Sequence, residues 1–152
     1  MKNILFIILI LNSFLYSENV KIANAFIKAT DKTDYTFYEK DHRYSRYFAI
    51  NYTGTDYCSP AYVFSDYNKI THNETNIMLV KFNFSDIEHI EIENKQAPRL
   101  IFYTKNNKRL IDCEGSCLDK LYYINIYVKK SENLNILKED FENLINLCKK
   151  IN

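Results

Sequence analysis

The chain has no tryptophan and only two glycines and two prolines in 152 residues. The glycine shortage excludes the most chemistry. Phosphate-cradling loops and nucleophile elbows need several glycines so that backbone can approach closely, and here Gly54 and Gly115 stand far apart. Histidine is nearly as scarce: three, isolated from one another, with no H-E-x-x-H pair. No charge of one sign dominates either, with 20 basic and 19 acidic residues and a net charge of +1. Nucleic-acid binders gather a basic excess on one face. The small basic clusters here read instead as a charged turn, Lys105, Lys108 and Arg109 in "KNNKR", and as a favourable helix C-terminus, Lys149-Lys150. Neither a nucleic-acid partner nor a cofactor is expected.

There is one long hydrophobic run, at the start. "MKNILFIILILNSFLYSENV" places Lys2 as the single charge before Glu18 and follows it with an unbroken apolar stretch from Ile4 to Leu11. A short basic start, a short apolar stretch and a small residue before a polar segment describe a secretory signal peptide, with cleavage expected after Ser17. A membrane-spanning helix needs about 20 apolar residues, and this run is shorter and broken by Asn12-Ser13. The expected organisation is therefore a signal peptide over residues 1–17 and a single domain over 18–152, large enough to bury a core of its own. Without Lys2 the charges of that domain balance. The expected location is periplasmic or secreted, with no membrane span in the mature chain.

Export decides how the four cysteines read. Outside the cytoplasm they are most simply two disulfides. "DCEGSC" brings Cys113 and Cys117 close in sequence, whereas Cys58 and Cys148 stand far apart, so a zinc site lacks its second close pair. A redox-active pair would sit at a helix N-terminus, and Cys113 instead ends a strand-like segment. Of the three possible connectivities, the preferred one joins Cys113 to Cys117 and Cys58 to Cys148.

After the first run the sequence turns β-like. "NVKIANAFIKAT" (19–30) fits a short helix through Val20, Ala23, Phe26 and Ile27 as well as a strand through Val20, Ile22, Asn24 and Phe26. From Tyr35 alternation takes over. "RYSRYFAINY", "AYVFSDY", "NIMLVKFNF", "IEHIEIE", "RLIFYT", "KRLIDC" and "LYYINIYV" read as strands, with Asn106-Asn107 as a hairpin tip between "RLIFYT" and "KRLIDC". The period then changes. Leu134, Leu137, Phe141, Leu144, Ile145 and Cys148 recur at three- and four-residue steps, which predicts an amphipathic helix, and Ser131 or Asn133 can cap its start.

Six to seven strands in antiparallel β-rich sheets, closed by one C-terminal amphipathic helix, define an α+β fold. The segments "FSDIEHIEIENKQAPRLIFYTKNNKRL", "LYYINIYV" and "LNILKEDFENLINLCKK" give an outline that resembles a pleckstrin-homology-like fold, two curved antiparallel sheets with a helix closing one end. The resemblance covers roughly residues 40–150 by order of elements. Such helices often carry a tryptophan, and this one has none. The likeness implies a fold and no ligand.

What could carry function is sparse. His89 in "DIEHIEIE" would share a strand face with Ile87, Glu91 and Glu93, a His-carboxylate arrangement that the polar edge of a half-buried strand explains equally. His72 and His42 stand beside polar neighbours with no ligand spacing. No catalytic, cofactor-binding or metal-binding residue is assigned. Tyrosine is concentrated: eight of the thirteen lie in Tyr35 to Tyr67. Exposed tyrosines offer rigid amphipathic area for a glycan or a protein, and Tyr44, Tyr47, Tyr52 and Tyr57 are the candidate binding surface. AT-rich codons and β-propensity enrich the same residue. The expected function is a small exported, non-catalytic binding or interaction module meeting a protein or envelope component. An extracytoplasmic inhibitor or immunity-type protein is the second reading and a hydrolase or metal enzyme the third.

Overall fold

In the computed structural model the described residues are 2–31, 33, 35–39, 44–51, 56–68, 70–94, 98–115, 121–128 and 132–151, with backbone alone for 2–15, 35–39, 44–51, 63–67 and 74–77. Helix α1 spans Lys2–Thr30. Eight strands follow among the described residues: β1 Tyr35–Glu39, β2 Tyr44–Asn51, β3 Ala61–Asn68, β4 Asn73–Lys81, β5 Ile87–Glu93, β6 Arg99–Thr104, β7 Asp112–Gly115 and β8 Tyr123–Tyr127. Helix α2, Leu134–Ile151, closes the chain. The protein is α+β, with an antiparallel five-stranded sheet in the order β1-β2-β3-β4-β7 and an antiparallel three-stranded sheet in the order β5-β6-β8; neither closes into a barrel. The strand beyond the expected seven is β1, at the start of the β-like stretch. The outline drawn from element order lacks two things the fold has: helix α1, and the return of β7 to the first sheet.

That return corrects the expected hairpin. Asn106 and Asn107 do take left-handed backbone, φ 54° and 51°, a conformation asparagine tolerates. Yet β6 pairs with β5 and β8 while β7 pairs with β4, so the turn passes the chain from one sheet to the other. A single bridge, Ile111 to Leu121, ties the crossover down. The strand expected over "NIMLVKFNF" reaches Phe84; β4 instead ends at Lys81, and Phe84 opens a 3-10 turn over Phe84–Asp86. Asn83 caps that turn by accepting from the Ser85 N–H at 2.8 Å, and the Phe84 N–H donates to the Cys58 carbonyl at 2.7 Å. Phe84 is thereby fixed at the centre of the core. Its ring meets Phe26 of α1, Phe82, Phe102 of β6 and Phe141 of α2, with centroids 5.1–6.5 Å apart.

Both helices follow from their apolar stripes. In α2 the six expected residues, Leu134, Leu137, Phe141, Leu144, Ile145 and Cys148, are all buried. Asn133 caps its start, accepting from the N–H groups of Asn135 and Ile136 at 3.1 and 3.3 Å. In α1, Ile22, Ala25, Phe26 and Ala29 are buried while Val20 and Asn24 are exposed, which resolves residues 19–30 as helix. Helix α1 contacts α2, and Lys28 pairs with Asp140 at 2.6 Å across the junction. The Cys58–Cys148 disulfide fastens the end of α2 to the segment before β3.

Among the described residues Tyr62 is the largest that is fully buried, and it stacks on Phe82 at 5.2 Å. Burial pushes its phenol well above the ordinary tyrosine value. Below about pH 10 the phenol is neutral in both folded and unfolded chains. Above that, the unfolded chain releases the proton while the fold retains it, so the stability held at lower pH is lost as pH rises. Tyr62→Phe is expected to flatten this alkaline decline, measured by urea unfolding at about pH 8 and about pH 11.

Candidate functional site

The three-stranded sheet has an inner and an outer face because its strands alternate. Ile90, Leu100, Phe102, Ile124 and Ile126 point inward and are buried. Pairing sets the outward residues in three rows: His89, Tyr103 and Tyr123; Glu91, Ile101 and Asn125; Glu93, Arg99 and Tyr127. A bulge between Ile87 and His89 makes this possible. It corrects the expected grouping of those two residues on one face, since Ile87 is sent into the core and His89 is left outside.

The first row is aromatic. His89 stacks on Tyr103 at 4.7 Å with planes 13° apart. Tyr103 meets Tyr123 at 6.0 Å, and Tyr123 meets Tyr122 edge-on at 5.0 Å. Four rings therefore run in contact across all three strands, roughly 10 Å at the usual strand spacing. Tyr122 and Tyr123 are 43% and 37% exposed. Buried Thr104 holds the end of this strip: its N–H donates to the Tyr122 carbonyl at 3.0 Å, and its hydroxyl lies 2.9 Å from the same oxygen and 2.5 Å from that of Lys108.

The charges on the face are paired among themselves. Glu91 accepts from the Tyr103 hydroxyl and lies 3.6 Å from His89 Nε2. Partial burial, with the Glu91 charge and hydrogen bond added, holds the Tyr103 phenol above its usual range. Arg99 pairs with Glu93, donates to the Tyr127 hydroxyl at 3.2 Å and lies 5.7 Å over the Tyr127 ring. Desolvation pulls the Arg99 guanidinium down, but the Tyr127 hydrogen bond and the Glu93 partner outweigh it and hold the group above its ordinary value. Two polar atoms here are buried without a hydrogen-bond partner, Asn125 Oδ1 and Arg99 Nε.

The chain matches no protein family, no curated protein and no solved structure.

Of the expected tyrosine surface, Tyr44 and Tyr47 lie in β2, where only the backbone is described, and Tyr52 lies outside the described residues. Tyr57 is half-buried with its ring 5.4 Å from Phe26. Cys113 is disulfide-bonded, and its expected partner Cys117 lies outside the described residues, as do His42 and Ser131. His72 sits exposed in the turn between β3 and β4 with φ 55°. Among the described residues no group of three or more His, Cys, Asp or Glu side chains is placed to hold a metal.

A concavity of about 430 Å³ lies between the helices, lined by Lys21, Asn24, Ala25, Lys28, Asn143 and Leu147. Its cations are already engaged, Lys21 with Glu18 at 2.9 Å and Lys28 with Asp140. The outer sheet face combines more chemistry: aromatic area, paired charges and unsatisfied polar atoms. The sequence hides this face because its tyrosines are scattered, whereas those of 35–67 are dense. The available signal was the alternation of Arg99, Ile101 and Tyr103 in "RLIFYT" and of Tyr123, Asn125 and Tyr127 in "YINIY".

Proposed function

We propose that the protein is a small exported binding module without catalysis of its own, and that it meets its ligand through the outer face of the β5-β6-β8 sheet. The observation that carries this is the four-ring strip beside paired charges, since rigid, partly exposed tyrosines give contact area at little entropic cost. Export is supported by the Lys2-plus-apolar opening and by the Cys58–Cys148 bridge, a bond that persists outside the reducing cytoplasm. Among the α1 side chains described from Tyr16 onward, the first buried one is Ile22, which is compatible with cleavage after Ser17. Among the described residues no helix is long and apolar enough to cross a membrane.

Two measurements test the proposal. Mass spectrometry of the mature protein is expected to find an N-terminus near Glu18; intact Met1 in a cytosolic fraction would overturn export. Co-sedimentation with insoluble extracellular material is expected to weaken roughly tenfold in a Tyr103→Ala/Tyr123→Ala variant that keeps its fold. Undiminished binding by that variant would remove this face from the account.

A further inference from the structure

We infer that β8 is an assembly edge: it pairs with β8 of a second copy of this chain, antiparallel and centred on Asn125. This is independent of the reading of the outer face as a ligand surface. The edges give the first reason. Among the described residues the two sheets end in β1, β7, β5 and β8. Natural edge strands are guarded against pairing by charges, proline, bulges or shortness. Strand β1 carries Glu39 and a shift in register against β2. Strand β5 carries Glu88, Glu91 and Glu93 and a bulge. Strand β7 is four residues long with Asp112 and Glu114. Strand β8, "YINIY", has no charge and no proline, and its register on β6 runs without a shift.

The backbone gives the second reason. The Thr104 N–H donates to the Tyr122 carbonyl and the Val128 N–H to the Pro98 carbonyl, each at 3.0 Å. Hydrogen-bonded residues alternate along an antiparallel ladder. Tyr122, Ile124, Ile126 and Val128 therefore turn their backbone groups toward β6, and Tyr123, Asn125 and Tyr127 turn theirs away from it. Leu121 obeys the same parity, because it exchanges both its backbone bonds with Ile111, at 2.9 and 3.1 Å. The backbone groups of Tyr123 and Asn125 have no partner among the described residues. The open part of the edge thus starts just past the Ile111 bridge.

The order of residues names the occupant. Tyr123–Tyr127 reads the same in both directions. A two-fold interface requires residue i to face j and j to face i, and a palindromic strand meets that condition with like residues. Centred on Asn125, the pairing sets Tyr123 opposite Tyr127, Ile124 opposite Ile126 and Asn125 opposite its own copy. Aromatic and β-branched cross-strand pairs are favourable. The centre also fits the ladder: Asn125 is a residue whose N–H and C=O point outward, so the two copies exchange both bonds at the axis. The pairing stops at Tyr123 and Tyr127, since Ile111 occupies the edge at Leu121. The result is one six-stranded sheet with both outer faces on the same side.

The test is sedimentation of the full mature protein over a roughly hundredfold range of concentration, with amide hydrogen exchange read at both ends of the range. A monomer is expected at the low end and a dimer at the high end, where exchange at Tyr123 and Asn125 should slow by about tenfold or more. Asn125→Pro removes the N–H at the axis without removing a bond to β6, and edge strands accept proline where the N–H faces outward. It should stay monomeric throughout. Should that variant fail to fold, Asn125→Lys sets two like charges directly opposite each other at the axis and should stay monomeric in its place. A parent that is monomeric at every concentration would overturn the inference. So would a dimer whose Tyr123 and Asn125 amides exchange at the monomer rate, or a folded variant of either kind that dimerises like the parent.

Discussion

Phe141→Ala is expected to lose about 3–5 kcal/mol of folding stability. The side chain is fully buried. Its ring packs edge-on against Phe102 at 5.0 Å and lies 6.1 Å from Phe84. These two partners belong to β6 and to the 3-10 turn, so one ring joins α2 to the three-stranded sheet and to the aromatic hub at once. Truncation opens a cavity where three elements meet, and such a site has little freedom to collapse. A domain's net stability is about 5–15 kcal/mol, so the variant should unfold at far lower denaturant. Glu142→Ala is the contrast. It removes a partly exposed pairing with Lys138 at 3.6 Å and should cost about 0.5 kcal/mol or less. Urea unfolding of both variants under identical conditions checks this. A parent-like midpoint for Phe141→Ala would mean that α2 is not part of the core.

Opening the Cys58–Cys148 bridge in a Cys58→Ala/Cys148→Ala variant is expected to cost about 4–5 kcal/mol in the chain-entropy model. The bridge closes a sequence separation of 90 residues, which takes in β3 to β8 and most of α2. Without it the unfolded chain regains the freedom of that whole loop. The native state also loses the tie between the end of α2 and the Cys58 segment, whose carbonyl anchors Phe84. Non-reducing peptide mapping should recover a linked Cys58–Cys148 peptide from the parent. Denaturant unfolding should show the loss in the variant, and a variant as stable as the parent would contradict the role given to the bridge.

The two changes differ in how far they could be read in advance. The stripe on α2 was legible in full because a 3.6-residue period repeated over about four turns, from Leu134 to Cys148, has one geometric meaning. The Cys58–Cys148 pairing was legible only through the compartment, since nothing local links those residues. Residues 19–30 fitted two periods, and the burial of Ile22, Ala25, Phe26 and Ala29, in a helix that contacts α2, decides between them. Local cues failed where pairing was long-range. Asn106-Asn107 has the backbone of a tight turn, but turn geometry does not say which strands lie on either side, and the crossover separates β6 from β7. Alternation placed Ile87 with His89 because a bulge leaves no mark in a residue pattern. The candidate site was hidden for the same reason. Tyr103 and Tyr123 lie twenty positions apart, and only the β6–β8 register sets them side by side. The tyrosines of 35–67 were more conspicuous because they are close in sequence.

These two groups of tyrosines allow the most direct test of the central claim, that the outer face of the β5-β6-β8 sheet is where the protein meets its ligand. Tyrosine nitration of the folded protein, free and bound to extracellular material, can be read residue by residue from peptides. The account predicts that Tyr122 and Tyr123, exposed in the free protein, react when it is free and are shielded when it is bound. Shielding confined to tyrosines between Tyr35 and Tyr67, with Tyr122 and Tyr123 nitrated at the free rate, would contradict it.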